Sequence, residues 1–256
     1  MDAYTLRIAA SRVGRGIEPA DRRIAAQLAH PHGGPARCRV VRVPPAGSPA
    51  LPAAFGVGGI ARADRAAMLG DALRALVPAT VPVAVLVDAT DAGTIPRGAG
   101  SLRYVARSLD GDFGAQRCAV QDVLRGMGAR WALQLDDDET LDPAAIDTLR
   151  AMAGQADRQG VVSIGLPRSN LVDGRQSDLW PDIQYRLNRT HIRYRGRVHE
   201  RPDPGGWRRT TIALCATIVH RLDGERVRRR SVEYEAMGDG GARPGDEEAL
   251  LRPFAP

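Results

Sequence analysis

The stretch 131-WALQLDDDETLDP-143 joins an apolar segment directly to a run of acids. WALQL is short and apolar, which is typical of a buried strand. It runs without a break into Asp136, Asp137, Asp138 and Glu139. Neighbouring carboxylates repel one another and raise each other's pKa values. A positive partner is therefore expected where this strand ends.

Strand and helix patterns alternate on both sides of this stretch. Val83 to Val87 is an unbroken apolar run, typical of a strand that is buried on both faces of a parallel sheet. This alternation predicts an α/β fold with a mostly parallel sheet and flanking helices. Helical spacing of apolar residues recurs at Leu69, Ala72, Leu73 and Leu76, and again at Val120, Val123, Leu124 and Met127.

Acids follow two of the predicted strands. Asp88 ends the run AVLV, and the acid cluster ends WALQL. Ligands of open α/β sheets bind beyond the carboxyl ends of the strands. If residues 136–138 stay extended, Asp136 and Asp138 share one side, which suits Mg²⁺ or Mn²⁺. The structural alternative is that these acids favour the N-terminal dipole of the helix that follows.

Composition narrows the class of protein. The 256 residues carry a net charge of +6, and every basic residue is arginine, which favours anionic partners without choosing among them. Three scattered cysteines predict no disulfide framework and a reducing compartment. The start has no apolar signal region, and no run approaches the roughly 20 apolar residues of a membrane span. We therefore expect a cytoplasmic protein.

Three regions are predicted along the chain. Residues 1–50 form a small N-terminal extension that ends at the Pro/Ala/Gly-rich linker 44–53. Residues 51–235 form the main α/β domain. Residues 236–256 are charged and glycine-rich, which predicts a flexible C-terminal tail.

Four blocks of the sequence resemble the family 2 glycosyltransferases: LVDATDAGT, DFGAQRCAVQ, WALQLDDDE and WPDIQYRLNRTHIRYRGRVHE. The last block is especially similar to members related to lipopolysaccharide-core and β-glucosyl transferases. The resemblance implies the GT-A fold, a nucleotide-binding α/β domain with a DxD motif. It also implies metal-dependent, inverting transfer of a sugar from a nucleotide-sugar, usually a UDP-sugar, to a hydroxyl acceptor.

The same resemblance implies roles for residues that bind the donor. Asp88 matches the acid that contacts the nucleoside base. Arg117 would lie near the nucleotide, although Cys118 stands where the family usually has asparagine. Asp136 and Asp138 match the DxD motif, which contacts the ribose and holds Mn²⁺ or Mg²⁺ against the diphosphate.

The general base and the last metal ligand each have two candidates. Asp182 or Glu200 would deprotonate the acceptor hydroxyl, and Asp182 is favoured. Either acid could instead form an ion pair with a nearby arginine. His199 or His220 would complete the metal shell, and His199 is favoured because it lies in the matching Val-His-Glu block.

Two other classes of protein compete with this interpretation. The charge also suits an arginine-rich nucleic-acid-binding protein, but no recognition motif supports it, so no nucleic-acid partner is expected. A nucleotidyltransferase-like or inactive GT-A protein would keep the fold and change the chemistry. The acceptor stays open among a glycan, a lipid-linked glycan, a protein and a small molecule. A position peripheral to a membrane is compatible with the sequence, which does not indicate an oligomeric state.

Overall fold

The structure of the protein is a computed structural model, and it describes residues 54–180, 182–198, 200–205, 209–213, 215–236 and 246–254. The predicted N-terminal extension (1–50) and the linker (44–53) lie outside the described residues. The domain boundaries therefore stay a prediction.

Strands and helices alternate through the first part of the described chain, as the sequence predicts. The strands are β1 (Phe55–Arg62), β2 (Val83–Asp88), β3 (Leu102–Ala106), β4 (Trp131–Gln134), β5 (Glu139–Thr140) and β6 (Ser163–Val172). The helices between them are α1 (Ala66–Leu76), α2 (Phe113–Gly126) and α3 (Ala145–Gln159). Short 3₁₀ turns cover Ala63–Arg65 and Ala92–Thr94.

The second part of the described chain is richer in short strands. These are β7 (Arg175–Gln176), β8 (Asp182–Arg189), β9 (Arg193–Arg195), β10 (Arg201–Asp203), β11 (Thr210–Ile212) and β12 (Ile218–Leu222). Two helices follow, α4 (Gly224–Ala236) and α5 (Asp246–Leu251).

The strands of the main sheet lie in the order β3-β2-β1-β4-β8-β6-β12-β5, with β7 and β11 beside β6. The first four are mutually parallel, and β8 is antiparallel to both of its neighbours. Strands β9 and β10 form a separate antiparallel pair. The predicted fold class, a mostly parallel α/β sheet with flanking helices, is confirmed.

Helices cover both faces of the sheet. One face packs on α1 and α3 through a core that includes Leu69, Leu73 and Leu149. The other face packs on α2 through a smaller core that includes Val120 and Leu124. Strands covered on both sides must be apolar throughout, which explains the unbroken run in β2. None of the helices in the described ranges combines the length and the apolar character that a membrane span requires.

Strand β1 lies in the sheet between the two layers of helices, and its glycines make the close packing possible. A Cβ at Gly58 would meet Val120 of α2 and the Ala84 carbonyl oxygen of β2. A Cβ at Gly59, on the opposite face, would press on the Leu135 carbonyl oxygen and on the Leu69 side chain. The sequence FGVGGI therefore keeps helices and the chain after β4 close to the central strand.

The C-terminal residues that the structure describes differ from the flexible tail predicted over 236–256. Helix α5 and the residues after it pack along β7, where Asp178 N donates to the Arg252 carbonyl at 2.8 Å and Phe254 N donates to the Gln176 carbonyl at 2.8 Å. The Ser177 hydroxyl also donates to the Ala249 carbonyl. The segment ALLRPF is apolar and packs on the protein. The prediction of a flexible tail rested on the charged residues that precede this segment.

The packing around β1 gives a test by substitution of glycine. We expect Gly59→Ala to lower the free energy of unfolding by about 1–3 kcal/mol, because its methyl group overpacks backbone that cannot move freely. The matched control is Gly126→Ala in α2, where a Cβ meets no atom within 4 Å. That variant should be unchanged or more stable, since alanine favours a helix over glycine. Urea unfolding measures both, and equal effects would contradict the packing.

Candidate functional site

The site lies at β1, where the chain stops adding strands on one side of this strand and starts adding them on the other. Strand β1 is flanked by β2 on one side and by β4 on the other, which is the arrangement that opens a ligand crevice beyond the carboxyl ends of the strands. Asp88 is the last residue of β2, in register with Arg62 of β1. Asp136 follows the end of β4. The two predicted acids therefore lie on either side of the crevice.

Asp88 is half-buried and holds the chain that follows β3. Its Oδ1 accepts a hydrogen bond from Leu109 N at 2.9 Å. Its Oδ2 makes no hydrogen bond or ion pair with any of the residues that the structure describes. One oxygen thus has a structural role at the strand end, and the other is available to a ligand in the crevice.

The acid cluster forms a turn, which differs from the extended segment that the sequence analysis assumed. Glu139 N donates to the Asp136 carbonyl at 3.0 Å, which closes a β-turn over 136–139. The Asp136 backbone N–H in turn donates to Glu139 Oε2 at 3.1 Å. The period-two spacing of an extended strand does not apply here. Asp136 and Asp138 consequently face different partners.

The positive partner expected for these acids is arginine. Seven side chains alternate in sign from α2 through the turn to β6 and β8, and we call them the arginine–carboxylate chain. Its members, in order of contact, are Glu200, Arg117, Asp136, Arg186, Glu139, Arg168 and Asp182.

Asp136 is held by two guanidinium groups. Arg117 Nη2 donates to both of its oxygens, at 3.0 and 2.9 Å, and Arg186 Nη2 donates to Oδ2 at 2.6 Å. Burial alone would raise the pKa of the Asp136 carboxyl, but Arg117 and Arg186 hold it well below its usual range. Asp136 is therefore ionised, and both of its oxygens are already bound.

Arg117 lies behind Asp136, inside the protein. Its Nε donates to Glu200, and its guanidinium carbon lies 6.0 Å from the centre of the Tyr194 ring. Burial alone would lower the pKa of Arg117, but the charges of Asp136 and Glu200 raise it well above its ordinary value. The described contacts give Arg117 a role in positioning Asp136. A direct contact with a nucleotide stays a prediction.

Asp182 is the more enclosed of the two candidate bases, with a side chain 3% exposed. Arg168 donates to its Oδ2 from Nε at 2.9 Å and from Nη2 at 2.5 Å, and Gln184 donates to its Oδ1 at 2.7 Å. Burial alone would raise the pKa of the Asp182 carboxyl, but the charge and hydrogen bonds of Arg168 hold it at about 2. These properties are those of a structural ion pair.

Glu200 is more accessible. Its side chain is 11% exposed and accepts from Arg117, with Arg186 Nη1 at 3.9 Å. It follows His199, which lies outside the described residues. Glu200 thus ends the arginine–carboxylate chain on its more open side.

Asp138 faces the C-terminal elements. Its Oδ1 lies 3.4 Å from His220 Nε2, and its Oδ2 forms ion pairs with Arg226 at 2.8 Å and with Arg230 at 3.6 Å. The other ring nitrogen of His220, Nδ1, lies 2.8 Å from Asn170 Oδ1. Burial alone would raise the pKa of the Asp138 carboxyl, but His220 and Arg226 lower it.

The described side chains do not fit a divalent metal in this arrangement. Within the described ranges, no three His, Cys, Asp or Glu side chains stand together as ligands. The Asp136 oxygens are bound by arginines, and Asp138 is shared between an imidazole and two guanidiniums. Mg²⁺ and Mn²⁺ require free oxygen ligands. The predicted ligand set of Asp136, Asp138 and His199 stays a prediction, because His199 lies outside the described residues.

Several residues of this site were not predicted from the sequence. Arg168 lies opposite Asp182 in the register of β6 and β8, a pairing between distant segments. Arg226 and Arg230 reach the turn from a helix nearly a hundred residues later. Alternation along DIQYR does place Asp182 and Arg186 on one face of a strand, which is a readable signal.

A cavity of about 420 Å³ lies elsewhere on the described surface. It is bounded by β6, β7, α4 and α5. None of the predicted site residues lines it. Its walls include Val172, Asp173, Arg228, Leu251 and Pro253.

Comparison with known proteins does not identify a family for this chain. No protein-family model matches the chain, and no curated protein matches it. The solved structures that resemble it include TarS 1–349 of S. aureus, with a TM-score of 0.40 and 12% sequence identity, covering 77% of this chain and 69% of that chain. A likeness at this level carries no conclusion about activity, so the function is argued from the site itself.

The Arg168–Asp182 pair predicts a stability that depends on pH. We expect Asp182→Asn to cost roughly 3 kcal/mol near neutral pH, because it removes one partner of a buried ion pair. The folded carboxyl has a pKa of about 2, below its ordinary 3.8, so the stabilisation is present above about pH 4 and is lost as the pH falls toward 2. Urea unfolding between about pH 6 and pH 3 should show the difference from the unsubstituted protein shrinking on acidification.

The control for this measurement is Asp147→Asn on α3, whose side chain is 90% exposed. It should leave stability unchanged across the same range, because an exposed pair contributes little. A difference between Asp182→Asn and the unsubstituted protein that grew on acidification would contradict the assigned ion pair.

Proposed function

We propose that the protein is a glycosyltransferase that moves a sugar from a nucleotide-sugar, most simply a UDP-sugar, to a hydroxyl acceptor. One observation supports this most strongly: Asp88 and Asp136 flank the crevice at the reversal of strand order beside β1. The four sequence blocks that resemble family 2 glycosyltransferases contribute both of these acids and the chain segments around them.

The crevice suits a nucleotide in its position in the sheet and in its chemistry. Parallel strands with this order bind nucleotides beyond their carboxyl ends. Among the described residues the Oδ2 atom of Asp88 has no hydrogen-bond partner, so it could accept from a base N–H or a ribose hydroxyl, while Leu109 N holds the carboxylate in place through Oδ1. A base bound at Asp88 would direct its phosphates toward the turn that follows β4.

Transfer with inversion is a single displacement. The acceptor oxygen forms a bond to the anomeric carbon as the bond from that carbon to the phosphate oxygen breaks. The electron pair leaves with the nucleoside diphosphate, and the acceptor proton passes to a general base. No step is assigned to a metal, because the described ligands do not fit one.

Glu200 is the general base in this proposal, although the sequence favoured Asp182. A base must come within hydrogen-bond reach of the acceptor, and its pKa should lie near the working pH. Asp182 is enclosed by Arg168, Gln184 and Asn170, with a pKa of about 2. Glu200 is the more exposed of the two and has fewer hydrogen-bond donors around it.

The arginines of the 191–199 segment give little support to nucleic-acid binding, because they already have partners. Arg193 pairs with Asp122 at 2.8 and 2.9 Å, and Arg195 pairs with Asp203 at 2.5 Å. Arg197 donates to the Asp110 carbonyl at 3.0 Å. A nucleic acid would have to displace these partners, so the basic charge of the segment is largely compensated.

Donor binding is tested by thermal unfolding with UDP-, GDP- and dTDP-sugars, each with and without Mn²⁺. We expect a UDP-sugar to raise the melting temperature, because a ligand that binds only the folded state stabilises it. Asp88→Asn keeps an acceptor for Leu109 N but disturbs the second oxygen. It should weaken donor binding by about tenfold or more, the effect of a lost hydrogen bond to a charged group.

Asp147→Asn again serves as the control, since it removes one negative charge from a side chain of α3 that is exposed and paired only with Arg150 among the described contacts. The rise in its melting temperature with a UDP-sugar should equal that of the unsubstituted protein. The absence of a shift with every nucleotide-sugar would overturn the proposal, as would equal binding by Asp88→Asn.

The base assignment is tested by Glu200→Gln. The assay measures release of nucleoside diphosphate from the donor in a cell extract with which the unsubstituted protein shows turnover. We expect the rate of release to fall by about 100-fold or more, because general bases contribute that much. Donor binding, measured by the thermal shift, should persist. Full turnover by Glu200→Gln would contradict the assignment.

A further inference from the structure

Three arginines reach the turn 136–139 from two sides. Arg65 ends the 3₁₀ turn directly after β1, while Arg226 and Arg230 project from the first turns of α4. Residues four apart lie on the same face of a helix, so Arg226 and Arg230 act together. The turn 136–139 lies between the two sides.

In the free protein these guanidiniums rest on the two acids at the tip of the turn. Arg65 Nε lies 3.4 Å from Asp137 Oδ2, and its Nη2 donates to the Asp137 carbonyl at 3.5 Å. Arg226 and Arg230 share Asp138 Oδ2. Three permanent positive charges therefore face two carboxylates, and the imidazole of His220 adds a further polar partner.

These arginines are also accessible. Their side chains are 44%, 24% and 37% exposed for Arg65, Arg226 and Arg230, whereas Asp138 is 6% exposed. An incoming ligand would thus meet guanidinium groups before it reached the carboxylates. A cation would have to displace those groups, but an anion would find them already in place.

We propose that Arg65, Arg226 and Arg230 bind the diphosphate of the donor directly, in the place where a DxD motif would otherwise use a divalent cation. This inference rests on the proposed function and specifies the chemistry of the same site. The acids of the turn hold the guanidiniums in position while the site is empty. Arginine suits the role, because its planar fork binds phosphate oxygens in pairs.

The exchange leaves every arginine with a negative partner, because phosphate oxygens replace Asp137 and Asp138 beside the exposed guanidiniums. The Asp138 carboxylate keeps His220 beside its Oδ1. The Asp138 backbone stays in place, because its carbonyl accepts from Arg221 N at 3.0 Å. The leaving nucleoside diphosphate would then have its developing charge stabilised by fixed positive groups.

Titration calorimetry with UDP, GDP and dTDP tests the inference on the full chain, in EDTA and in Mn²⁺. We expect at least one nucleotide to bind with the same affinity, within about twofold, in both buffers, as a cation-free anion site requires. The double variant Arg226→Ala/Arg230→Ala should bind at least about tenfold more weakly in both buffers. Arg228→Ala is the matched control, because Arg228 lies on the same helix but lines the cavity beside β7.

The outcomes separate the inference from the proposed function. If EDTA abolishes binding and Mn²⁺ restores it, the protein is a nucleotide-binding enzyme of the metal-dependent kind and the inference is wrong. The inference is also wrong if the double variant binds nucleotide as tightly as Arg228→Ala does, or if it binds nucleotide only when Mn²⁺ is present. If no nucleotide binds in either buffer, the proposed function fails together with the inference. The comparison of buffers uses the unsubstituted protein, so it does not depend on the folding of a variant.

Discussion

The arginine–carboxylate chain is the interaction on which the rest of the site depends. It joins α2, the turn after β4, and strands β6 and β8 through ion pairs of 2.5 to 3.0 Å, with Glu200 held at one end by Arg117. A buried charge without a partner is very costly, so each member requires its neighbours. The chain therefore sets the direction of Asp136 and excludes other positions of the turn. It also explains how adjacent acids can follow a buried strand without disrupting it.

Two groups of acids in the same turn have different surroundings as a result. Asp136 and Glu139 are paired with the buried guanidiniums of Arg117, Arg168 and Arg186. Asp137 and Asp138 point toward the exposed arginines of the crevice. Burial and the nearby Asp138 raise the pKa of Asp137, while His220 and Arg226 outweigh burial and lower that of Asp138. The first pair positions the turn, and the second pair holds the exposed guanidiniums that a ligand would meet first.

The sequence predicted the fold well because the fold depends on local periodicity. In β2 the apolar residues are consecutive, and in α1 and α2 they recur at helical spacing. Each pattern lies within one segment and indicates which residues are buried. Asp88 and the acid cluster were placed at strand ends for the same reason. The partners of those acids were not predictable, because they depend on register and on distant segments. Arg168 meets Asp182 through the pairing of β6 with β8, and Arg226 meets Asp138 only after α4 has folded back.

A nucleoside diphosphate is proposed to bind beyond the carboxyl end of β1, in the crevice between Asp88 and Asp136. A crystal structure of the protein soaked with the tightest-binding nucleotide tests this most directly. We expect a base beside Asp88 and phosphates in contact with Arg65 and Arg226 above the turn 136–139. Phosphates bound instead in the cavity beside β7, with Arg226 still on Asp138, would contradict it.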